Sequence, residues 1–367
     1  MDQITQLTAL LVLPWTLKFL WAPLVDASRS RGLTYRRWAV FAQCAMALAL
    51  VPLLLLDPAR DFRWIVAWLL VHSFAAATQD VAIDGLAIAT TPEGKRGELN
   101  AWMQAGMLLG RSLFGGLALV VASRLDPRAV PAGLIVVIGG TLTLLAFARE
   151  GALVRSAPAG MLHSLRLALS RRTTWLGLAF ALVAGAGAGF ESVGAVAGPF
   201  LVDRGQSASA IGMFLALPVI IATVTGGFIG GAIADRLGRA RTAGFALMAL
   251  AVAILTLAAQ PSVGTLLTFG LLTVVYLGIG VFTAASYALF MELTDPALGA
   301  TQFSSYMAAT NACEAWAVLM VGRLIVGSGY SQAFAIMAAI SLVGLPIAWL
   351  IARAASRTDS TRTTTRS

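Results

Sequence analysis

Residues 231–241 read Gly231-Ala232-Ile233-Ala234-Asp235-Arg236-Leu237-Gly238-Arg239-Ala240-Arg241, and residues 22–32 read Ala22-Pro23-Leu24-Val25-Asp26-Ala27-Ser28-Arg29-Ser30-Arg31-Gly32. Each is the end of an apolar run, an aspartate, and a short turn of arginine and glycine. The two aspartates stand 235 − 26 = 209 positions apart, and at that offset the apolar run before the first lands on the run before the second. A second echo falls at Pro92 and Pro296, where an apolar run carrying acidic residues stops and the next one starts. Two related halves that enter a membrane in the same sense form a parallel repeat of helical bundles.

The runs themselves have bilayer length. The chain is 58% hydrophobic and only 12% charged, about half the charged share of a soluble domain. Eleven segments are long enough to cross, at roughly 5–25, 38–56, 64–90, 99–122, 130–148, 174–200, 209–233, 241–259, 264–291, 299–322 and 331–352, since about 20 apolar residues span the hydrocarbon. The expected fold class is therefore all-α: a polytopic membrane protein of two six-helix bundles with one span short of twelve. Residues 1–148 make the N-terminal bundle, spans two to six of the twelve, and 174–353 make the C-terminal bundle of six. Between them, 149–173 carries five arginines and His163 and is expected as a connector. Residues 354–367, almost all Ser, Thr and Arg, have too little to bury and are expected to form a disordered tail.

The net charge of +9 suggests nucleic acid until its positions are read. Of the 26 basic residues, 18 fall on alternate loops and the tail, six fall on the other loops, and Lys18 and Arg111 lie inside spans. By the positive-inside rule the 18-residue face is cytoplasmic, which places the connector and the C-terminus inside and makes no case for nucleic acid. That orientation starts Met1 on the outer face, so the first helix of the twelve is expected to be missing. No cleavable signal is expected, because Met1-Asp2-Gln3 carries acid and no small-residue cleavage site follows. Cys44 and Cys313 both sit inside spans as apolar filler, and two histidines, His72 and His163, cannot build a metal cluster. There is no nucleophile elbow, zinc-helix motif or nucleotide-binding loop, so an enzyme and an ATP-driven pump are both unsupported.

Ionisable residues inside spans are costly and mark function by default. Gln79-Asp80-Val81-Ala82-Ile83-Asp84 puts two carboxylates i,i+4 on one face of the 64–90 span. From the helical rise, Asp80 lies roughly 16 Å and Asp84 roughly 10 Å from the cytoplasmic end of that span, with Lys18 roughly 12 Å and Arg111 roughly 20 Å from theirs. The four can meet at similar depth. A carboxylate in a low-dielectric site holds its proton more tightly and a neighbouring cation releases it, so such a group can load and unload a proton. A permanently paired structural cluster is the alternative. In the second half, Glu191 lies in a glycine-rich interruption, and Asn311 and Glu314 share a helix face; each is a proton or solute contact or else a polar packing contact. Gln79, Asn100 and Gln104 offer neutral donors and acceptors to a solute. Asp26, Arg36, Arg37, Asp235, Arg236, Gly238, Arg239 and Arg241 stand at helix ends on the cytoplasmic face, where carboxylates and arginines can lock a gate.

Leu13-Pro14-Trp15-Thr16-Leu17-Lys18-Phe19-Leu20-Trp21-Ala22-Pro23-Leu24-Val25-Asp26 resembles the second helix of AmpG-type muropeptide permeases, which are major facilitator proteins. Ala76-Ala77-Thr78-Gln79-Asp80-Val81-Ala82-Ile83-Asp84 looks like the fourth-helix motif that group shares with acetyl-coenzyme A transporters, and Asp84-Gly85 with Asn100 and Gln104 is closer to the latter. Asp235-Arg236-Leu237-Gly238-Arg239 resembles the general superfamily gating motif. The resemblance implies a monomeric permease of the inner membrane that imports anhydro-muropeptides by alternating access, with the lipid bilayer and a small polar solute as its partners. No cofactor is expected: with no ATP-splitting motif in the chain the energy comes from an ion gradient, protons being the first reading and sodium the alternative. Two other readings stay open at this level: a major facilitator carrier of another solute, such as an acyl-coenzyme A or a nucleotide-linked sugar, and a non-transporting sensor or truncated remnant.

Overall fold

Inside hydrocarbon every backbone N–H and C=O must be satisfied within its own segment or by a closed barrel. These Leu-, Ala-, Val- and Gly-rich runs do it as helices. The computed structural model describes residues 2–57, 60–111, 114, 121, 126, 128–147, 161–188, 193–260 and 264–364, and no strand occurs among them.

Among the described residues, six helical stretches are long and apolar enough to cross a membrane: Tyr35–Leu54, Phe62–Thr90, Ala208–Leu237, Arg239–Ala258, Thr265–Leu293 and Pro296–Ala354. The last, at 59 residues, holds the two expected spans 299–322 and 331–352, and its path breaks at Gly329, whose φ of 78° is left-handed. A seventh is a bent pair, Leu10–Leu20 and Ala22–Arg31, turned by 46°. Two prolines account for the bend. Pro14 and Pro23 each lack the amide hydrogen that would continue the helical ladder, and a tight 3-10 turn over Lys18–Leu20 joins the pieces. Shorter apolar helices, Ala129–Leu145 and Arg172–Val183, fall on the expected spans 130–148 and 174–200. The 99–122 span is described chiefly as the helix Arg96–Arg111.

The connector region contains the helix Met161–Ser170, which packs on Ala22–Ser28. The tail differs from expectation: the last helix, Gly344–Thr364, runs on through residues 354–364. Once a membrane-supported helix exists, each further residue adds one hydrogen bond without a new nucleation cost, and Ala354, Ala355 and Arg357 are good helix formers.

Contacts group the chain into two compact units. One comprises Met1–Thr90, Leu109–Ser170 and Thr294–Ala308; the other comprises Thr91–Leu108, Arg171–Leu293 and Ala309–Ser367. The units therefore follow the two sequence halves except at 91–108 and 294–308, which are grouped with the opposite half. The first unit buries Ala22, Val25, Tyr35, Val81 and Ala300 together. In the second, Pro218–Leu237 and Thr265–Leu293 lie backbone against backbone: a Cβ on Gly226 or Gly230 would collide with the carbonyl of Leu277 or Val281. Close approach through small residues replaces the hydrophobic drive that lipid-embedded helices lack.

Candidate functional site

In the first unit, the bend that the two prolines create places Lys18 opposite the Phe62–Thr90 helix. Its Nζ donates a short hydrogen bond to Asp80 Oδ2 and lies 3.6 Å from Asp84 Oδ2. The side chains of Lys18 and Asp84 are 5% and 4% exposed, whereas that of Asp80 is 32% exposed. One cation thus serves two carboxylates, one sealed and one open. Gln79 is half-buried beside Asp80. Arg111, the other cation expected at this depth, is exposed in the last turn of its helix; Lys18 bridges the two aspartates.

Toward the end of the same unit, Asp26 is fully buried and accepts four hydrogen bonds. They come from the Tyr35 hydroxyl at 2.5 Å, the Ala300 amide at 3.1 Å, the Thr301 amide at 2.7 Å and the Thr301 hydroxyl at 2.5 Å. The two amides belong to the first turn of the helix that begins at Gly299, where backbone N–H groups have no partner inside the helix and the dipole favours an anion. Arg29 stacks on the Tyr35 ring, donates to its oxygen at 3.1 Å and reaches the Pro296 carbonyl at 3.4 Å. Gly85, next to Asp84, is glycine because a Cβ there would strike the Tyr35 ring. Arg36 donates to the Leu145 carbonyl at 3.1 Å and Arg37 to the Gly32 carbonyl at 2.8 Å, so both neutralise carbonyls at helix ends.

The second unit repeats the device. Asp235 accepts from the amides of Gly97 and Glu98 at 2.9 and 3.0 Å, again the first turn of a helix that follows a proline. Gly97 and Gly231 approach so closely that each carbonyl occupies the place of the other's Cβ. Gly238, at φ 91°, turns the chain directly into the next helix, which carries Arg239 within 3.6 Å of Asp235 and 3.1 Å of Glu292. Arg96 is buried and donates to the Met291 carbonyl at 3.0 Å. Arg236 and Arg241 are exposed.

Of the remaining expected residues, Asn100 and Gln104 are buried in the second unit, where Asn100 donates to the Arg96 carbonyl at 2.7 Å and to the Met291 sulfur at 3.2 Å. Asn311 and Glu314 are half-buried on one helix, and Glu314 lines a small cavity of about 30 Å³ with Ser286, Phe180 and Phe290. Glu191 lies outside the described residues. No cluster of three or more His, Cys, Asp or Glu side chains able to hold a metal occurs among the described residues.

Sequence reasoning did not single out Tyr35, Thr301, Gly97 or Glu292. The signal was present in the proline echo. Asp26 bonds to amides four and five residues after Pro296, and Asp235 to amides five and six after Pro92.

Bent and glycine-packed spans, an intramembrane lysine between two aspartates, and an aspartate clamp repeated in both halves agree with a family model described as Major Facilitator Superfamily, which matches residues 3–312. The chain belongs to that superfamily. It is a multi-pass membrane transporter moving a small solute, and the superfamily is one of carriers rather than enzymes. Among curated major facilitator relatives, it is 26% identical over 347 residues to the anhydromuropeptide permease of Escherichia coli K12, covering 90% of this chain and 69% of that protein. It is 23% identical over 358 residues to putative transporter AmpG 4 of Rickettsia conorii, covering 91% and 84%. Among solved major facilitator structures, the E. coli fucose:proton symporter superposes with a TM-score of 0.76 at 12% identity, covering 95% of this chain and 92% of that one. The human organic anion transporter TETRAN gives 0.71 at 18% identity, with 92% and 82% covered.

Proposed function

We propose that this major facilitator is a proton-coupled permease of the cytoplasmic membrane, with connector and C-terminus inside, importing a polar anionic solute of the anhydro-muropeptide class. The observation that carries the proposal is Lys18 set between Asp80 and Asp84. With both carboxylates ionised the trio carries one uncompensated negative charge; with one proton bound it is neutral. An unpaired charge sealed in a low dielectric costs several kcal/mol, and a neutral, hydrogen-bonded cluster does not. Asp80, the partly exposed member, meets the proton, and the neutral trio can be sealed from water without leaving an unpaired charge.

Alternating access requires the aspartate clamps to let go. Asp26 on the amides of 300–301 and Asp235 on the amides of 97–98 act as paired latches, and solute with proton supplies the differential binding that releases them. The 26% identity with the anhydromuropeptide permease along 90% of this chain supports the solute class. In this reading the protein works as a monomer, without a cofactor and without nucleic acid.

Reconstituted Asp80→Asn protein tests the reading. Wild type in proteoliposomes should accumulate radiolabelled anhydro-muropeptide under an imposed inward proton gradient. The variant should lose that accumulation while retaining counterflow exchange. Accumulation at the wild-type level removes Asp80 from coupling, and absence of any anhydro-muropeptide exchange by wild type removes the solute class.

A further inference from the structure

Two grooves flank the last helix, Gly344–Thr364, both within the second unit. One, of about 380 Å³, runs along its contact with the helix Arg239–Ala258; the other, of about 230 Å³, runs along its contact with Arg172–Val183. Each is apolar along its length and basic at one end. Arg241 and Arg353 rim the larger groove, Arg172 and Arg353 the smaller, so Arg353 serves both. Its guanidinium lies 3.6 Å from the centre of the Trp349 ring, which holds the charge at the groove mouth.

The surroundings identify what fills the larger groove. Phe245 and Met248 on its wall are 67% and 48% exposed, an apolar surface that only hydrocarbon covers well. Trp349 on the rim is 53% exposed, and a half-exposed tryptophan marks the level of the lipid headgroups. A double guanidinium rim at headgroup level above an apolar groove has the charge and shape of one molecule, a phospholipid with a net negative headgroup. A soluble phosphate would leave the groove empty, and a zwitterionic lipid would bring its own ammonium to a cationic rim.

We infer that the cleft between Arg239–Ala258 and Gly344–Thr364 is a binding site for an anionic phospholipid, its phosphate between Arg241 and Arg353 and an acyl chain along Phe245 and Met248. The lipid joins the final helix to the helix that leaves the Asp235–Arg241 turn. This site is independent of the transported solute and of the coupling ion.

Full-length protein in neutral detergent is titrated with dioleoyl-phosphatidylglycerol, dioleoyl-phosphatidylcholine or glycerol 3-phosphate, reading the thermal midpoint and, by native mass spectrometry, retained lipid. Phosphatidylglycerol should raise the midpoint and remain bound; phosphatidylcholine and glycerol 3-phosphate should do neither at the same concentration. An arginine near an anionic headgroup contributes about fivefold in affinity, so Arg241→Gln with Arg353→Gln should weaken binding roughly 25-fold by the same scale. Arg353→Lys should keep most of the affinity, and Arg128→Gln, which removes one positive charge elsewhere, should keep all of it. Each variant is compared with its own lipid-free midpoint, so a general loss of stability does not imitate the result. Undiminished phosphatidylglycerol binding by the double variant overturns the site, as does equal binding of phosphatidylcholine or equal protection by glycerol 3-phosphate. Should the double variant fail to purify, Arg241→Gln alone must still lose about fivefold.

Discussion

Asp26→Asn tests the latch with the least change of shape. The two carboxylate oxygens divide their work: one accepts the Tyr35 hydroxyl and the Ala300 amide, the other the Thr301 amide and hydroxyl. Asparagine retains one acceptor oxygen and presents an NH2 in place of the other. The hydroxyls of Tyr35 and Thr301 can rotate away; a backbone amide cannot. Either orientation therefore strands one amide and leaves the other bonded to a neutral oxygen. Hydrogen bonds to charged groups contribute about 1.5–3 kcal/mol against about 1 kcal/mol for neutral ones, so one bond lost and one weakened amount to about 2–5 kcal/mol. At 1.36 kcal/mol per factor of ten, opening of the segment should become roughly 30- to 5000-fold more frequent. Hydrogen–deuterium exchange read by mass spectrometry on peptides covering 294–308 reports that opening directly. Faster uptake should appear there, with peptides from 265–281 in the other unit unchanged. If uptake over 294–308 is the same in variant and wild type, Asp26 does not hold the helix start and the latch is wrong.

Lys18→Met should be destabilising by about 2–4 kcal/mol, less than a wholly buried pair because Asp80 is partly solvated; adding Asp84→Asn should recover more than half, and denaturant unfolding followed by circular dichroism that finds the single variant as stable as wild type would remove the trio as a compensated unit. Asp235→Asn should slow turnover about tenfold, the equivalent of about 1.4 kcal/mol on the step that remakes the latch, with solute affinity preserved; a loss confined to affinity contradicts a gating role. Gly97→Val should lower the unfolding midpoint, since the Gly231 carbonyl stands where the new Cβ must go and overpacking costs about 1–3 kcal/mol; an unchanged midpoint means the two backbones are not in contact.

The helical class, the membrane environment and the repeat were legible in the chain because they depend on sums and periods. Burying long apolar runs requires internally bonded helices whatever their neighbours, and a 209-residue offset between two Asp-Arg-Gly turns is visible without coordinates. Lys18, Asp80 and Asp84 were legible for the same reason: a charge inside such a run needs a partner, and few candidates exist. Arg111 was an equal candidate on helical rise, yet rise gives depth and not azimuth, and the bend at Pro14 and Pro23 turns Lys18 to the aspartates.

Other features rested on contacts between distant parts of the chain. Asp26 and Asp235 read as members of an arginine-rich turn, but each also accepts from two backbone amides far along the chain, as distant as 275 residues for Asp26 and 138 for Asp235. Backbone amides are the same in every residue, so no residue type announces them. The glycines at 85 and 97 likewise take their meaning from the Tyr35 ring and the Gly231 carbonyl that lie against them. The sequence by itself determined which segments enter the membrane and where charge had to be compensated, because both follow from transfer free energies of residue types. The tertiary structure alone decided which helix start each aspartate holds, because that depends on the meeting of surfaces far apart along the chain.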